Sequence, residues 1–230
     1  MVAMHPAQFH TPRRFHDRQS AGRELARAVR ELELAGELLV LGLPRGGVPV
    51  AYEVARALGA PLDVLVVRKI GAPSQPELAI GAIASGGIVV REPETASYLA
   101  IPETVFQRLL QHERAELVRR ERLYRAGRPP LQLQQRTVIL VDDGLATGAT
   151  MVAGLRAARA AGAAAVLAAA PVASSEAVAL VRAIADQVLV LQTPRHFYAV
   201  GEWYEHFEQT SDQEVQALLQ DSHLQRSRAP

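Results

Sequence analysis

Asp142 and Asp143 stand side by side in "TVILVDDGLATGATM" (137–151), after an apolar run and before a stretch of only Gly, Leu, Ala and Thr. In an open parallel sheet, ligands bind beyond the carboxyl ends of the strands, where these two acids would sit. The residues after them lead into a helix, whose first amides have no partner within the helix. Gly144, Ala146, Gly148 and Ala149 let that backbone come close to an anion, and Thr147 and Thr150 add hydroxyl donors. Carboxylates repel a neighbouring phosphate unless they hold another part of the same molecule. Vicinal ribose hydroxyls suit them, at roughly 1.5–3 kcal/mol per hydrogen bond to an ionised oxygen, and so does a hydrated Mg²⁺ carried by a polyphosphate. The ligand implied is a ribose 5-phosphate with further anionic charge. The competing reading is a strand ending in solvated aspartates before an ordinary capped helix, and the unbroken order of apolar run, acid pair and small residues weighs against it.

Two more segments carry cations at strand ends. In "LGLPRGGVPVA", Arg45 can grip a phosphate through its two-pronged guanidinium, and Gly46 and Gly47 expose amides in a turn. "LDVLVVRK" ends in Arg68 and Lys69, and Lys69 is the only lysine in the chain. A compact point charge is what a lysine supplies and an arginine does not; the alternative is a solvated strand end. His196 and His206 lack the paired spacing of metal ligands. With no cysteine in the chain, disulfides, thiolate metal sites and cysteine nucleophiles are excluded.

These residues need elements to position them. Apolar residues at 25, 29 and 32 predict a helix over 17–33 opening at Asp17. "ELLVLGL" (37–43) and "LDVLVV" (62–67) read as buried parallel strands around a helix closed by Gly59. "ELAIGAI" and "GIVVRE" read as a hairpin. A long Arg-rich helix over 103–126 has an apolar edge at Phe106, Leu110, Leu117 and Tyr124, and "GRPP" ends it. Then come the "TVILV" strand, a helix (149–161), a strand (164–170), a helix (174–185) and the strand "QVLVLQ". Such alternation predicts an α/β fold: an open, mostly parallel sheet with helices on both faces. The final residues read as disordered.

Composition sets the outer bounds. The 230 residues are 49% hydrophobic and 21% charged with a net charge of +1, a globular balance that favours neither nucleic acid nor an anionic membrane as partner. Glutamates interleave with the arginines of the long helix, as on a solvated, salt-bridged face. The start of the chain lacks the apolar core of a secretory signal. The longest apolar run is shorter than the roughly 18–20 residues that span a bilayer, so a cytoplasmic location is expected.

The 137–151 stretch resembles the phosphoribosyl pyrophosphate signature of the type I phosphoribosyltransferases along its whole length. That resemblance implies ribose hydroxyls, and Mg²⁺ indirectly, on Asp142 and Asp143, with the 5-phosphate on Ala146, Thr147, Gly148, Ala149 and Thr150. "RGGVP" is similar to the family's pyrophosphate loop, assigning Arg45, Gly46 and Gly47 to the pyrophosphate. The Arg68–Lys69 pair is similar to one in adenine and orotate members that serves the pyrophosphate and a dimer contact, which gives Arg45, Arg68 and Lys69 catalytic roles. "RHFYAVGEWYEHF" loosely resembles a base-stacking hood segment, with Phe197 or Tyr198 as the aromatic. Two positions depart from 6-oxopurine members: Ala146 replaces an aspartate, and "AAAPV" (168–172) stands where they carry a lysine. The acceptor is therefore left open. The implied organisation is one domain over 1–210, with a core at about 37–192 and a hood from the N-terminal segment and 193–210, and a tail at 211–230. A flexible catalytic loop would fall in 71–100. The implied activity is Mg²⁺-dependent transfer of a 5-phosphoribosyl group from phosphoribosyl pyrophosphate to a nitrogenous, nucleobase-like acceptor by a homodimer. The alternative is a non-catalytic sensor of the same ligand.

Overall fold

The computed structural model describes residues 13–125 and 127–227. Residues 1–12, the outer part of the expected hood and of the segment read for a signal, lie outside the described residues. In chain order the elements are α1 (Arg18–Arg30), β1 (Leu38–Gly42), α2 (Gly47–Leu58), β2 (Leu62–Val64), β3 (Val67–Ala72), β4 (Gln75–Ala84) and β5 (Ile88–Arg91). There follow α3 (Pro93–Tyr98), α4 (Glu103–Arg125), β6 (Thr137–Val141), α5 (Ala149–Ala160), β7 (Ala165–Val172), α6 (Ser175–Arg182), β8 (Gln187–Gln192) and α7 (Asp212–Ser227).

Five strands form an all-parallel sheet in the order β2-β1-β6-β7-β8. From β1 the chain winds one way through α2 to β2; from β6 it winds the other way through α5 and α6. Because such crossovers are right-handed, the two directions place their helices on opposite faces. Alternation along β1 and β6 serves both layers. Val40, Ile139 and Val141 pack toward α1 and α2, while Leu39, Leu41, Val138 and Leu140 pack toward α5 and α6. The order reverses between β1 and β6, which is where open α/β sheets open a crevice for ligands.

The run 62–67 departs from the single strand expected of it. Leu65 still donates its amide to Gly42 O, but Val66 exchanges bonds with Ser85 instead. The chain thus leaves the parallel sheet as β2 and enters a second, antiparallel sheet, β3-β4-β5. The predicted hairpin is β4 and β5, and the segment in which the catalytic loop was expected, 71–100, contains these strands and α3. Phe106, Leu110, Leu117 and Tyr124 of α4 are all buried, as their spacing requires. Two arginines of α4 pair with an acid of the same helix, Arg119 and Arg120 with Glu116, while Arg125 at its end reaches Asp63 of β2. Among the described residues, no helix is long and apolar enough to cross a membrane.

The reading of the last residues as disordered is corrected. Residues 212–227 form α7, whose Val215 and Leu219, one helical turn apart, are buried in the main core. Tyr52 of α2 bonds Asp221, and Tyr124 of α4 donates to Asp212 at 2.6 Å. Those two polar anchors lie outside a periodicity search, and besides Val215 and Leu219 the partly buried Leu218 also packs against the core.

Candidate functional site

The register levels the carboxyl ends of the central strands, since Gly42 pairs with both Val64 and Val141, and Val141 with Ala169. The loops after β1 and β6 therefore emerge side by side at the reversal point. After β1, Leu43 donates its amide to Val141 O at 2.9 Å, and the Pro44–Arg45 peptide is cis. Gly46 and Gly47 lie against the acid pair: a Cβ on Gly46 would fall 2.0 Å from Asp143 Oδ2, and one on Gly47 2.6 Å from Val141 O. No side chain fits at either position. The half-exposed Arg45 guanidinium lies 4.0 Å from Asp212 at the start of α7.

Asp142 and Asp143 follow β6, and Asp142 Oδ1 accepts the amide of Asp143 at 2.9 Å. Burial and mutual repulsion push Asp142 well above the usual carboxylate range. Burial also raises Asp143, against the opposing pull of Arg18. Arg18 donates from Nε to Asp143 Oδ2 at 2.8 Å and from Nη1 to Glu208 O at 2.7 Å, and its guanidinium lies 3.9 Å over the Phe207 ring. Tyr204 stacks on Phe207 at 5.0 Å and donates its hydroxyl to Asp143 O at 2.6 Å. Burial keeps that phenol protonated, its pKa well above the ordinary value.

The loop after the acids is braced from β7 and open outward. Leu145 is buried and bonds both Val172 O and Ser174 N, and Ser174 Oγ donates to Ala146 O at 2.7 Å. Ala146, Thr147, Ala149 and Thr150 are exposed. Gly148 caps α5 with φ +72°, a left-handed conformation that suits glycine, and no side chain caps the helix there. Exposed residues thus surround the first turn of a twelve-residue helix, whose Ala149 amide meets Thr147 Oγ1 at 3.4 Å, and a helix start of this kind can receive a phosphate.

Arg68 and Lys69 do not end the second parallel strand as expected: they are the second and third residues of β3, in the antiparallel sheet, a few residues after β2 ends at Val64. Arg68 is ion-paired with Glu113 of α4 at 2.8 Å, and Lys69 is opposite Ala82 of β4. Of the aromatic pair, Phe197 packs into the small cluster of Phe15, Tyr204 and Phe207, while Tyr198 is 81% exposed. That cluster joins the N-terminal segment to 197–207: Phe15 bridges Tyr204, and His16 bonds Glu205 at 2.9 Å. Three groups at the site were absent from the sequence reading, namely Arg18, Tyr204 and Asp212. Only the first had a local signal, since Asp17 with Ser20 forms the capping box that fixes the start of α1.

A cleft of about 350 Å³ adjoins Arg18, between Asp17, Tyr52, His206, Glu208 and Glu214. A second cavity, about 360 Å³, lies at the opposite edge of the sheet, beside Leu39 and Leu62. Its arginines are already engaged: Arg125 makes two bonds to Asp63, and Arg128 bonds Leu62 O and Leu219 O. Among the described residues no three His, Cys, Asp or Glu side chains converge as a metal site. Two carboxylates alone fit a hydrated Mg²⁺ arriving with a polyphosphate better than a metal caged by protein.

Comparison with known proteins bears on this geometry. A family model described as the phosphoribosyl transferase domain matches residues 14–205. Two curated proteins, from two strains of Mycobacterium tuberculosis and provisionally assigned as phosphoribosyl transferases, are each 47% identical over 210 residues. The match covers 91% of this chain and 47% of theirs, so the chain spans about half the length of these relatives. The crystal structure of TT1426 from Thermus thermophilus is 45% identical, with a TM-score of 0.84 over 90% of this chain and 98% of that one.

Proposed function

The chain belongs to the phosphoribosyl transferase domain family, and from that premise we propose that it moves a 5-phosphoribosyl group from phosphoribosyl pyrophosphate to a nitrogenous, nucleobase-like acceptor. One observation carries the reading. At the reversal point of the sheet a cation loop, an acid pair and an open helix start lie in sequence, matching the pyrophosphate, ribose and 5-phosphate of a single molecule.

In this reading Asp142 and Asp143 accept hydrogen bonds from the ribose hydroxyls and fix the ring. The amides and hydroxyls of 146–150 hold the 5-phosphate. Arg45 and the amides of Gly46 and Gly47 hold the pyrophosphate and stabilise the charge that gathers on it as it leaves. The acceptor nitrogen forms a bond to C1 from the opposite side while the C1–O bond to pyrophosphate breaks, and the nitrogen's proton passes to solvent. A Mg²⁺ brought with the pyrophosphate would be held through water by Asp142 and Asp143 and would neutralise part of the same charge. Arg68 and Lys69 reach the pyrophosphate from β3, Arg68 after release from Glu113. A homodimer is part of this proposal, with the Arg68–Lys69 region near the contact.

A ligand sensor without turnover is the second reading. It is favoured by the acids that already face two of the cations, Glu113 on Arg68 and Asp212 near Arg45. Pyrophosphate release from phosphoribosyl pyrophosphate and Mg²⁺, across a panel of purine, pyrimidine and pyridine bases, separates the two. The variant with Asp142→Asn and Asp143→Asn serves as blank. Release with one base, absent in the blank, establishes the transferase; silence across the panel with retained binding establishes the sensor.

A further inference from the structure

Asp143 is held from two sides by residues outside its own loop. Tyr204, from the segment after β8, takes its carbonyl. Arg18, from the first turn of α1, takes Oδ2 of its carboxylate. Gly46 closes the remaining side, since no atom larger than hydrogen fits between its Cα and Oδ2. The carboxylate is thus wedged between a backbone and a guanidinium.

Arg18 is itself fixed. Its side chain is 12% exposed, stacked on Phe207 and bonded to Glu208 O, and its backbone position is set by the Asp17–Ser20 capping box. Three anchors on one guanidinium suit a fixed strut rather than a side chain that swings aside for a ligand. Arginine fits this role where lysine does not, because its planar fork reaches two acceptors while its face stacks on a ring. We propose that Arg18 is a positioning residue of the ribose site: by holding Oδ2 of Asp143, it fixes the orientation of the carboxylate that the ribose hydroxyls are assigned to. The inference rests on the assignment of Asp143 to the ribose. It adds that the first turn of α1, more than a hundred residues away in sequence, sets how well that acid grips the sugar. It also gives the N-terminal segment and 204–208 a shared task, since both reach the phosphoribosyl loop through this one aspartate.

Two probes separate positioning from general support: ribose 5-phosphate, which uses the acids and the phosphate loop, and inorganic phosphate, which uses the loop alone. Calorimetric titration of both into wild type, Arg18→Gln and Arg18→Lys reads the difference. In wild type, ribose 5-phosphate binds tighter than phosphate; if the sugar adds nothing, the ribose assignment fails and this inference with it. Given that gain, Arg18→Gln weakens ribose 5-phosphate about tenfold or more, the loss of one charge-assisted bond, and leaves phosphate within about twofold. Arg18→Lys falls between. Equal weakening of both ligands makes Arg18 merely structural, and unchanged ribose 5-phosphate affinity removes its role; either result overturns the proposal while the ribose assignment stands. Should Arg18→Gln not melt cooperatively, the same comparison is made with Arg18→Lys, which keeps the charge while losing the planar fork and its stack on Phe207.

Discussion

Gly46→Ala reverses the sign that ordinary backbone reasoning gives. Gly46 caps α2 with φ −60° and ψ −32°, an unstrained helical conformation. A Gly→Ala change at such a site normally stabilises a protein by about 0.4–1 kcal/mol through the unfolded chain. Here the new methyl would lie 2.0 Å from Asp143 Oδ2 and 2.6 Å from its Cγ. Carbon and oxygen need roughly 3.2 Å, so the carboxylate has to retreat by about 1 Å, which breaks its bond to Arg18. A charge-assisted hydrogen bond contributes about 1.5–3 kcal/mol, and forcing a methyl into a filled space costs about 1–3 kcal/mol. Some of this overlaps, and the backbone gain offsets part. The net expectation is a destabilisation of roughly 1–3 kcal/mol, a fall in Tm of about 3–10 °C for a domain of this size. Thermal melting by circular dichroism at neutral pH reads it. Repeating the change in an Asp143→Ala background tests the cause, because residues in contact show coupling that distant ones do not. The Gly46→Ala penalty should disappear there. A higher Tm for Gly46→Ala alone, or an undiminished penalty without the carboxylate, would refute the packing of Gly46 on the acid pair.

The acid pair should also limit stability. Asp142 keeps its proton to a higher pH in the folded chain than in the unfolded one, so its contribution is full below the ordinary carboxylate pKa near 3.9 and is lost as pH rises through the native value. Asp142→Asn should therefore melt a few degrees higher than wild type at pH 7.5, by a margin that narrows toward pH 5; a constant or inverted margin would speak against a strained pair. Leu219→Ala, at a position 1% exposed, should cost about 2–5 kcal/mol, and a Tm change under about 1 °C would mean that α7 is not docked in solution. Tyr204→Phe removes the 2.6 Å bond to Asp143 O and should lower Tm by about 2–4 °C, the weight of one buried neutral hydrogen bond; no change would show that carbonyl to be satisfied by water.

Much of the molecule was legible because its signals are local. The central strands announce themselves as short apolar runs, Gly59 ends α2 in the left-handed conformation expected of it, and four apolar residues of α4 give its buried edge. The position of the acid pair and small residues of 142–150, between β6 and α5, was readable because an apolar run ends at Asp142 and the helix begins after Gly148. What escaped depends on partners far along the chain. Nothing near Leu65 says that the strand will change sheets, since the bond that decides it comes from Ser85. Arg18 and Tyr204 read as one arginine among many and one aromatic in an aromatic stretch, and only folding brings both to Asp143. The helix at 212–227 was missed because polar bonds to Tyr52 and Tyr124 share its docking with two buried apolar residues.

Binding of phosphoribosyl pyrophosphate itself tests the central assignment most directly. Calorimetric titration with Mg²⁺ into wild type, and into the variant carrying Asp142→Asn and Asp143→Asn, needs no knowledge of the acceptor. The account expects one site per chain in wild type and at least tenfold weaker binding in the variant, with inorganic phosphate affinity preserved in both. Equal affinity in the two proteins, or no binding by either, would contradict it.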